Sequence, residues 1–398
     1  MIMLTKKQAL RRFRISVSLF FFLQGIVFAT WANRIPDIKK ALHLNDAELG
    51  NVLFAIPVGQ VAAMVLSAWL VTRYGSRKML VLASVLYPLF LIPLSIADNP
   101  YMLMGGLFFF GMSANLFNTA SNTQGVNVEN LYGKTIMGSF HGLWSLGGFL
   151  GGLIGMGFVG MDIPPFPHFI FIFVSSVLLM SFIRRHLVKC DRKARNTAIH
   201  KNGTRTSWVK RFDPYVLALG AMAFAAMVCE GCMYDWSGVY FMQVVSAPEK
   251  LIQLGYVVCM CTMTTGRFLA DWFVARFGAK KVICASGLLI FSGMMLAVAV
   301  PSLPFATAGF FLVGFGISST VPICYSMAGR SEKMDSGLAV ATVSSIGYLG
   351  FLIGPPVIGH ISHAISLHYT FAVIACFGLL VSIGAARLPI RKKRQDNR

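Results

Sequence analysis

Long uninterrupted runs of apolar residues constrain this chain more than any other feature of its sequence. Each run is about 20 residues long, the length that an α-helix needs to cross a hydrocarbon core of roughly 30 Å. Hydrophobic residues make up 56% of the chain and charged residues only 13%, which leaves too little polar surface for a protein dissolved in water. Because no water is available inside a bilayer, the backbone groups of these runs must bond to one another within helices. The chain is therefore predicted to be an all-α integral membrane protein.

Twelve membrane-spanning helices are predicted from the positions of these runs. They cover residues 15–35, 48–72, 79–97, 102–126, 135–159, 167–184, 214–241, 252–275, 280–299, 303–327, 336–360 and 368–387. The first run follows a basic segment and has the character of a secretory signal, but the runs after it favour a retained first helix.

Lysine and arginine predict the orientation of the spans, because these residues accumulate in cytoplasmic loops. With the N-terminus inside, 30 of the 35 fall in the two termini and the inner loops. An even number of spans places both ends on one side, so both termini are expected in the cytoplasm. The net charge of +20 is mostly this topological signal, and no nucleic-acid partner is expected.

A basic segment at residues 187–212 divides the chain and is predicted to be a cytoplasmic linker that lies against anionic lipid headgroups. Residues 1–186 would form an N-terminal bundle of six spans, and residues 213–398 a C-terminal bundle of six spans with a basic tail. Two motifs recur at nearly the same separation, which indicates a duplicated six-helix unit. RYGSRK (73–78) matches RFGAKK (276–281) at an offset of 203, and FLGGLIG (149–155) matches YLGFLIG (348–354) at an offset of 199.

Over its whole length the sequence resembles the major facilitator superfamily of transporters. The loop between spans 2 and 3 has Thr72 where the signature of that superfamily has an aspartate. It keeps five other residues of the signature: Leu70, Arg73, Gly75, Arg77 and Lys78. WANRIP (31–36), SFHGLWSLGG (139–148) and EGCMYDWS (230–237) resemble bacterial permeases near the fucose-permease-like group, a branch that includes a protein associated with rhizopine uptake.

The resemblance implies two pseudo-symmetric six-helix bundles around a central cavity lined by spans 1, 4, 7 and 10, in a bacterial inner membrane. The bundles would rock to expose the cavity to either side in turn. The resemblance also implies gating or charge-relay roles in the loop regions after spans 2 and 8: Arg73, Gly75, Arg77, Asp271, Arg276 and Gly278. Because Thr72 replaces the signature's acid, Glu129 is the expected partner of Arg73 or Arg77.

Two carboxylates interrupt the seventh predicted span, at Glu230 and Asp235. Ionised acids in hydrocarbon are costly and usually face a bundle interior or an aqueous cavity. Glu230 is therefore either a proton-coupling or solute-binding group, or a neutral packing residue that is hydrogen-bonded. Five positions turn a helix by about 500°, so Asp235 should point about 140° away and lie about 7.5 Å higher. Only one of the two is expected to face the cavity squarely, and Asp235 is either a proton-coupling or gate residue or an interfacial one.

The eighth predicted span carries Arg267 and Asp271, four residues apart on one helical face. They are interpreted either as an internal ion pair that holds this span to the loop after it or as gating or charge-relay residues. Along straight helices, Arg267 lies about 12 Å and Glu230 about 20 Å from the cytoplasmic ends, so a direct bridge between these two is not expected.

Polar and aromatic side chains within or beside the spans supply candidate solute contacts. Asn115, Asn118 and Asn122 form one stripe on span 4. Amides of this kind either join helices or bind hydroxylated solutes, since an amide both donates and accepts hydrogen bonds. The other candidates are Gln24, Trp31, His141, Trp236 and Tyr348. Isolated polar residues such as Gln24 and His141 are more often packing residues than ligands. Arg34 either belongs to an external gate or has no special role and extends its side chain so that the charge lies at the membrane–water interface.

The function predicted from these features is secondary transport of a small sugar-like or polyol-like solute, in symport with protons. Export of amphiphilic compounds and a non-transporting membrane sensor are the alternatives. The GKT at 133–135 lacks the glycine that a phosphate-binding loop needs at Val128, so no ATPase and no other enzyme is expected. No cofactor and no metal site are expected. The solute, protons and membrane lipids are the expected partners of a monomer.

Overall fold

The structure, a computed structural model, describes residues 6–133, 136–188, 213–331, 333–334 and 336–388. Within these ranges the chain forms fourteen α-helices: α1 (Lys6–Ala32), α2 (Ile35–Ala41), α3 (Asp46–Tyr74), α4 (Ser76–Leu89), α5 (Leu91–Leu94), α6 (Pro100–Tyr132), α7 (Met137–Gly160), α8 (Pro165–Ile183), α9 (Pro214–Gln243), α10 (Leu254–Phe277), α11 (Ala279–Ala299), α12 (Leu303–Ala328), α13 (Ser336–Ile365) and α14 (Leu367–Arg387). The predicted linker at 187–212 lies outside the described residues except for Leu187 and Val188, and the basic tail after Leu388 lies outside them too.

Each of the twelve predicted spans coincides with helix over most of its length. The third is divided at Phe90 into α4 and α5, because Pro93 cannot donate the backbone hydrogen bond that would continue α4. In the part of the chain that the structure describes, eleven helical segments are long and apolar enough to cross a membrane by length and composition. The helix α10, which carries Arg267, Asp271 and Arg276, is the predicted span that is not among them.

The two halves of the molecule repeat one pattern of helix contacts. In the first half, α3 packs against α6, α1 against α7, and α4 against both α6 and α8. In the second half, α10 packs against α12, α9 against α13, and α11 against both α12 and α14. Because each of these contacts has its counterpart in the other half, the predicted pair of pseudo-symmetric six-helix bundles is confirmed.

The repeated sequence motifs have the same structure in both halves. Gly75 follows α3 with φ 88° and ψ 144°, and Gly278 follows α10 with φ 85° and ψ 147°. A positive φ of this size favours glycine, which explains why both tight connections have one. In the other motif, Gly151 lies against Ile26 of α1 and Gly350 against Phe224 of α9. In both halves the missing side chain lets two helices approach closely.

The two halves meet through α3 with α13, α7 with α10, and the short helix α2 with α9. Several polar links between the halves lie at the end of the molecule that carries α2, which we call the closed end. There Gln253 Nε2 donates to the backbone oxygen of Asn33, and Lys40 Nζ lies 3.0 Å from Glu249 Oε1.

Burial differs between the closed end and the opposite end, where α1 begins and α14 ends. Towards the closed end, α9 is buried from Val228 to Phe241 except at Asp235. Towards the opposite end, only Ala63 and Ser67 of α3 are buried between residues 61 and 69. The space between the halves is thus closed at one end and open at the other, which we call the open end.

The close packing of α1 on α7 makes one glycine sensitive to a single added carbon. A Cβ at Gly147 would lie 2.1 Å from the backbone oxygen of Phe22, whereas a Cβ at Gly157 of the same helix meets nothing within 4 Å. We expect Gly147→Ala to force the helices apart and to lower the free energy of unfolding by about 1–3 kcal/mol. Thermal unfolding in detergent measures this. Gly157→Ala is the control and should keep or raise the midpoint, because alanine loses less backbone entropy. Equal midpoints for the two variants would contradict the close contact.

Candidate functional site

A cavity of about 380 Å³ lies between the two halves, within the range of small-molecule sites. Eight predicted site residues line it: Gln24, Asn115, Asn118, His141, Glu230, Asp235, Arg267 and Tyr348. Spans 1, 4 and 7 contribute as expected, but the expectation is wrong for span 10. No described residue of α12 lines the cavity, because α12 packs against α9 and α10, which stand between it and the central space.

Three of the predicted solute contacts lie outside the lining of this cavity. Trp31 and Trp236 are 1% and 0% exposed and belong to the hydrophobic core near the closed end, where their large rings fill space between helices. Asn122 lies one turn nearer the open end than Asn118 and donates through Nδ2 to Asn118 Oδ1 at 2.8 Å. The structure therefore does not bring these three side chains to the cavity.

An ion pair joins Glu230 of α9 to Arg267 of α10 in the cavity wall. Arg267 Nη2 lies 2.8 Å from Glu230 Oε1, and the same oxygen accepts a hydrogen bond from the Tyr234 hydroxyl at 2.6 Å. The other terminal nitrogen, Nη1, donates to the hydroxyl of Ser145 on α7. Arg267 thus binds a carboxylate of its own half and also contacts the opposite half.

The expectation that Glu230 and Arg267 would not meet is wrong. It compared positions along straight helices, about 8 Å apart, and left out the lengths of the two side chains, which together cover that distance. The expected pair of Arg267 with Asp271 is wrong as well. Asp271 is exposed and takes part in none of the four ion pairs found among the described residues. A guanidinium that loses water in the cavity is stabilised by a carboxylate that is buried beside it.

Tyr234 is a cavity residue that the sequence analysis did not identify. Three of the rings around it also line the cavity, with centroid distances of 5.3 Å to Phe28, 6.1 Å to Phe351 and 6.2 Å to Trp144. Phe351 is stacked on it, the other two meet it edge to face, and all four rings line the cavity. The available signal was its position one helical turn after a buried acid. The ring contacts come from three other helices, which no local pattern reveals.

Asp235 lines the same cavity as Glu230, so the expectation that only one of them would face it is wrong. Met227, Glu230, Tyr234 and Asp235 all line it and together cover an arc of about 140° of α9, much wider than a single helical face. No described residue donates a hydrogen bond to Asp235 or forms an ion pair with it. Nor do three or more His, Cys, Asp or Glu side chains come together as metal ligands in the described ranges.

Uncharged polar groups of the cavity come mainly from the first half. Gln24 is 7% exposed, and its Oε1 has no hydrogen-bond partner among the described residues. Asn115 Oδ1 likewise lacks a donor within the described part of the chain. Across the halves, the Tyr348 hydroxyl donates to Oε1 of Gln60, another residue that the sequence analysis missed. Both oxygens are buried, so a solute with hydroxyl or amine donors would satisfy them once the amide side chains turn towards the cavity.

Arg34 does not extend to the membrane interface, so that interpretation is wrong. It is 2% exposed and pairs with Asp37. It also donates to His168 Nδ1 at 3.2 Å and to the backbone oxygen of Ile163 at 2.7 Å. All these partners belong to the first half, so Arg34 fixes the corner between α1 and α2 against the turn that precedes α8.

Glu129 does not pair with Arg73 or Arg77 as expected. Its Oε2 accepts hydrogen bonds from the backbone N–H groups of Ile136 and Met137 at 2.8 and 2.9 Å. These groups begin α7 and have no partner within the helix, so a carboxylate there satisfies both of them and interacts favourably with the helix dipole.

The arginines of the two repeated loops, which lie at the open end, make different contacts. The Arg73 guanidinium lies 5.1 Å from the centroid of the Trp69 ring, and Arg77 donates to the backbone oxygen of Arg184 at 3.4 Å. Arg276, in the second loop, is exposed. The repeated motifs thus share their backbone turn but do not share one set of ionic contacts.

Comparisons with known proteins agree with this architecture. The model of the Major Facilitator Superfamily matches residues 16–274 and 240–398. The chain is 32% identical over 374 residues to an uncharacterized MFS-type transporter of Yersinia pestis, covering 94% of each chain. It is 29% identical to the membrane protein MosC of Rhizobium meliloti, covering 92% of this chain and 88% of that protein.

Two kinds of solved transporter share the fold. A bacterial homolog of the human lysosomal transporter Spinster, in an inward-facing and unoccupied conformation, has a TM-score of 0.70 at 15% identity and covers 96% of both chains. The nucleoside transporter NupG has a TM-score of 0.69 at 13% identity, over 94% of this chain and 98% of that one. At these identities the likeness concerns the fold alone.

The ion pair in the cavity should be measurable with a double-mutant cycle. Arg267→Met leaves the Glu230 carboxylate without its cation, so we expect a larger loss of stability than from Glu230→Gln. Because the second change removes the stranded charge, the double variant should be more stable than the sum predicts, by about 1–3 kcal/mol. Unfolding in detergent measures all four proteins. Arg276→Met with Asp271→Asn, both exposed, is the control cycle and should be additive. Additive losses at Glu230 and Arg267 would contradict the pair.

Proposed function

The chain belongs to the Major Facilitator Superfamily, and we propose that it is a proton-coupled secondary transporter, which moves a small polar solute through a bacterial inner membrane by alternating access. One observation carries this proposal. In a cavity between two pseudo-symmetric halves, Arg267 contacts a carboxylate of its own half and a hydroxyl of the other half. A change of charge at that carboxylate would therefore alter a contact between the two halves.

Alternating access is supported by the way in which the halves meet. Their seams are two equivalent helix pairs, α3 with α13 and α7 with α10, so rotation about them can open one end while it closes the other. We infer that the open end faces the cytoplasm, because 30 of the 35 lysines and arginines fall in the termini and the loops on that side. One chain contributes both sides of the cavity, which supports a monomer as the transporting unit.

Glu230 is the proposed proton carrier. Its Oε1 accepts hydrogen bonds from Tyr234 and Arg267, whereas no described residue donates to Oε2. A proton that enters from one side would bind at Oε2 and leave from the same atom towards the other side. While bound, it removes the negative charge that holds Arg267 and so weakens the connection from Glu230 through Arg267 to Ser145. A neutral carboxyl also lowers the cost of closing the cavity around it.

The cavity wall supports a hydroxylated solute of modest size. Gln24, Gln60, Asn115 and Asn118 place amide groups in the first-half wall, where each can donate and accept hydrogen bonds. Aromatic rings from α1, α7, α9 and α13 supply apolar surface beside them. Such a mixture of a few polar groups with aromatic walls orients a small polar molecule of the sugar or polyol kind.

Replacing the proposed proton carrier should uncouple transport. Glu230→Gln keeps the size of the side chain and its hydrogen bond to Tyr234 but cannot take up a proton. A thermal-shift screen of sugars and polyols first selects a solute that stabilises the wild type. In proteoliposomes that contain a pH-sensitive dye, this solute should drive proton flux with the wild type. With the variant, that flux should fall to the level of empty liposomes while solute exchange continues.

The control for this experiment is Asp98→Asn, which removes an exposed acid outside the cavity and should leave proton flux as in the wild type. An unchanged ratio of protons to solute in the Glu230 variant would exclude Glu230 as the carrier. Binding of the solute without any flux in the wild type would instead indicate a sensor.

Locking the closed end should stop transport. Asn51 of α3 and His360 of α13 touch across the halves there, with His360 Nε2 3.2 Å from Asn51 Oδ1. Cysteines at both positions, joined by a short reducible thiol cross-linker, should abolish solute flux until the linker is reduced. Single-cysteine variants with the same reagent should keep their activity, which controls for reaction at native thiols such as the exposed Cys376. Continued transport by the cross-linked double variant would rule out the rocking movement.

A further inference from the structure

We propose that the transported solute is a cation, a small hydroxylated molecule with one protonated amine, and that Asp235 binds this amine. The inference rests on the proposed function and adds the charge of the solute to it. Glu230 remains the site of the proton in this scheme, and Asp235 is the site that recognises the solute.

The charges in the cavity wall do not balance. Counting histidine as neutral and both acids as ionised, the charged lining residues are Glu230, Asp235 and Arg267, so the wall carries one formal negative charge. Glu230 and Arg267 compensate one another at 2.8 Å, and the remaining nitrogen contact of Arg267 goes to the uncharged hydroxyl of Ser145. No described cation compensates Asp235. A carboxylate with little water and no counter-ion is costly, and a bound cation offsets that cost.

The position of Asp235 directs its charge into the cavity. It is the one partly exposed residue in the stretch of α9 that is otherwise buried from Val228 to Phe241. Its neighbours Tyr234 and Trp236 are 4% and 0% exposed. Since Asp235 lines the cavity, its accessible surface is the part that an occupant of the cavity would meet.

Two further acceptors in the same wall lack donors. Gln24 Oε1 and Asn115 Oδ1 have no hydrogen-bond partner among the described residues, and both side chains line the cavity. Both oxygens are themselves buried as the side chains now lie, so a turn of either amide towards the cavity would place its oxygen beside the carboxylate. An ammonium group has three N–H donors and no acceptor, so it matches a carboxylate joined by such carbonyl oxygens. A neutral polyol would satisfy the two amides but would leave the charge of Asp235 uncompensated.

The aromatic part of the wall also favours a cation. Phe28, Trp144, Tyr234 and Phe351 line the cavity, and the other three rings lie between 5.3 and 6.2 Å from that of Tyr234. Ring faces attract an ammonium group, and the attraction grows when the group has lost its water. An anionic solute would meet both these faces and Asp235 unfavourably.

Pairs of probes that differ only by an amine in place of a hydroxyl test this proposal. Glucosamine with glucose and 1-amino-1-deoxysorbitol with sorbitol are two such pairs. Binding to the purified full-length protein is measured by thermal shift at neutral pH, where the amines are mostly protonated and aspartate is ordinarily ionised. In the wild type, at least one amine should bind at least about tenfold more tightly than its hydroxyl twin. If neither amine binds better than its twin, the proposal is overturned.

Variants at Asp235 assign that preference to one side chain. Asp235→Asn keeps the shape and removes the charge, so affinity for the amine should fall at least about tenfold while affinity for the hydroxyl twin changes little. Asp235→Glu restores the charge and should recover part of the preference. It also keeps the test informative if the asparagine variant does not fold. Asp98→Asn, which removes an exposed acid outside the cavity, is the matched control and should bind both probes as the wild type does. An undiminished preference for the amine in Asp235→Asn would show that another group binds it and would refute the assignment.

Failure of this inference and failure of the proposed function give different results. A wild type that carries a neutral solute with protons, and discriminates against its amine twin, would retain the proposed function and overturn the inference. A wild type that binds the amine through Asp235, but moves neither amine nor protons in liposomes, would support the inference and overturn the proposed function.

Discussion

A charged side chain inside a membrane needs a counter-charge or water, and the pair of Glu230 with Arg267 provides the counter-charge at the centre of this molecule. Neither residue is stable facing lipid, so the faces of α9 and α10 that carry them must turn inward. Arg267 then reaches Ser145, which places the pair on the seam between α7 and α10. The location of the cavity between the halves follows from this requirement.

The helix framework is the same in the two halves, but the charged residues of the cavity are not. The helix contacts of the two halves correspond pair by pair, and the two glycine turns have nearly equal backbone angles. The charged residues of the cavity, however, all come from the second half, while the side-chain amides come from the first. At the offset of 203 that relates the loop motifs, Arg267 corresponds to Met64. One half thus supplies ionic groups and the other supplies hydrogen-bonding groups on a common framework.

The sequence predicted the parts of this structure that depend on local properties. The twelve spans follow from the lengths of apolar runs, and the repeat follows from motifs whose glycines have a backbone role, such as Gly75 and Gly278. The Glu230–Arg267 contact was missed because it depends on side-chain reach between two helices. Trp31 was predicted to be a solute contact, but its large ring is buried in the core. Which helix faces the cavity depends on tertiary packing, and no pattern along one helix reports it.

The proposed sites for proton and solute together determine in which state of loading the protein most easily closes the cavity and opens it to the other side. With both sites empty, the wall carries one negative charge, and either a proton on Glu230 or a cation at Asp235 brings it to neutrality. Both together would leave Arg267 as an uncompensated positive charge. Since closing a cavity around a net charge is costly, a cationic solute favours exchange of one proton for one solute. A neutral solute favours symport, because the proton alone then neutralises the wall. The direction of solute-dependent proton flux distinguishes these two cases.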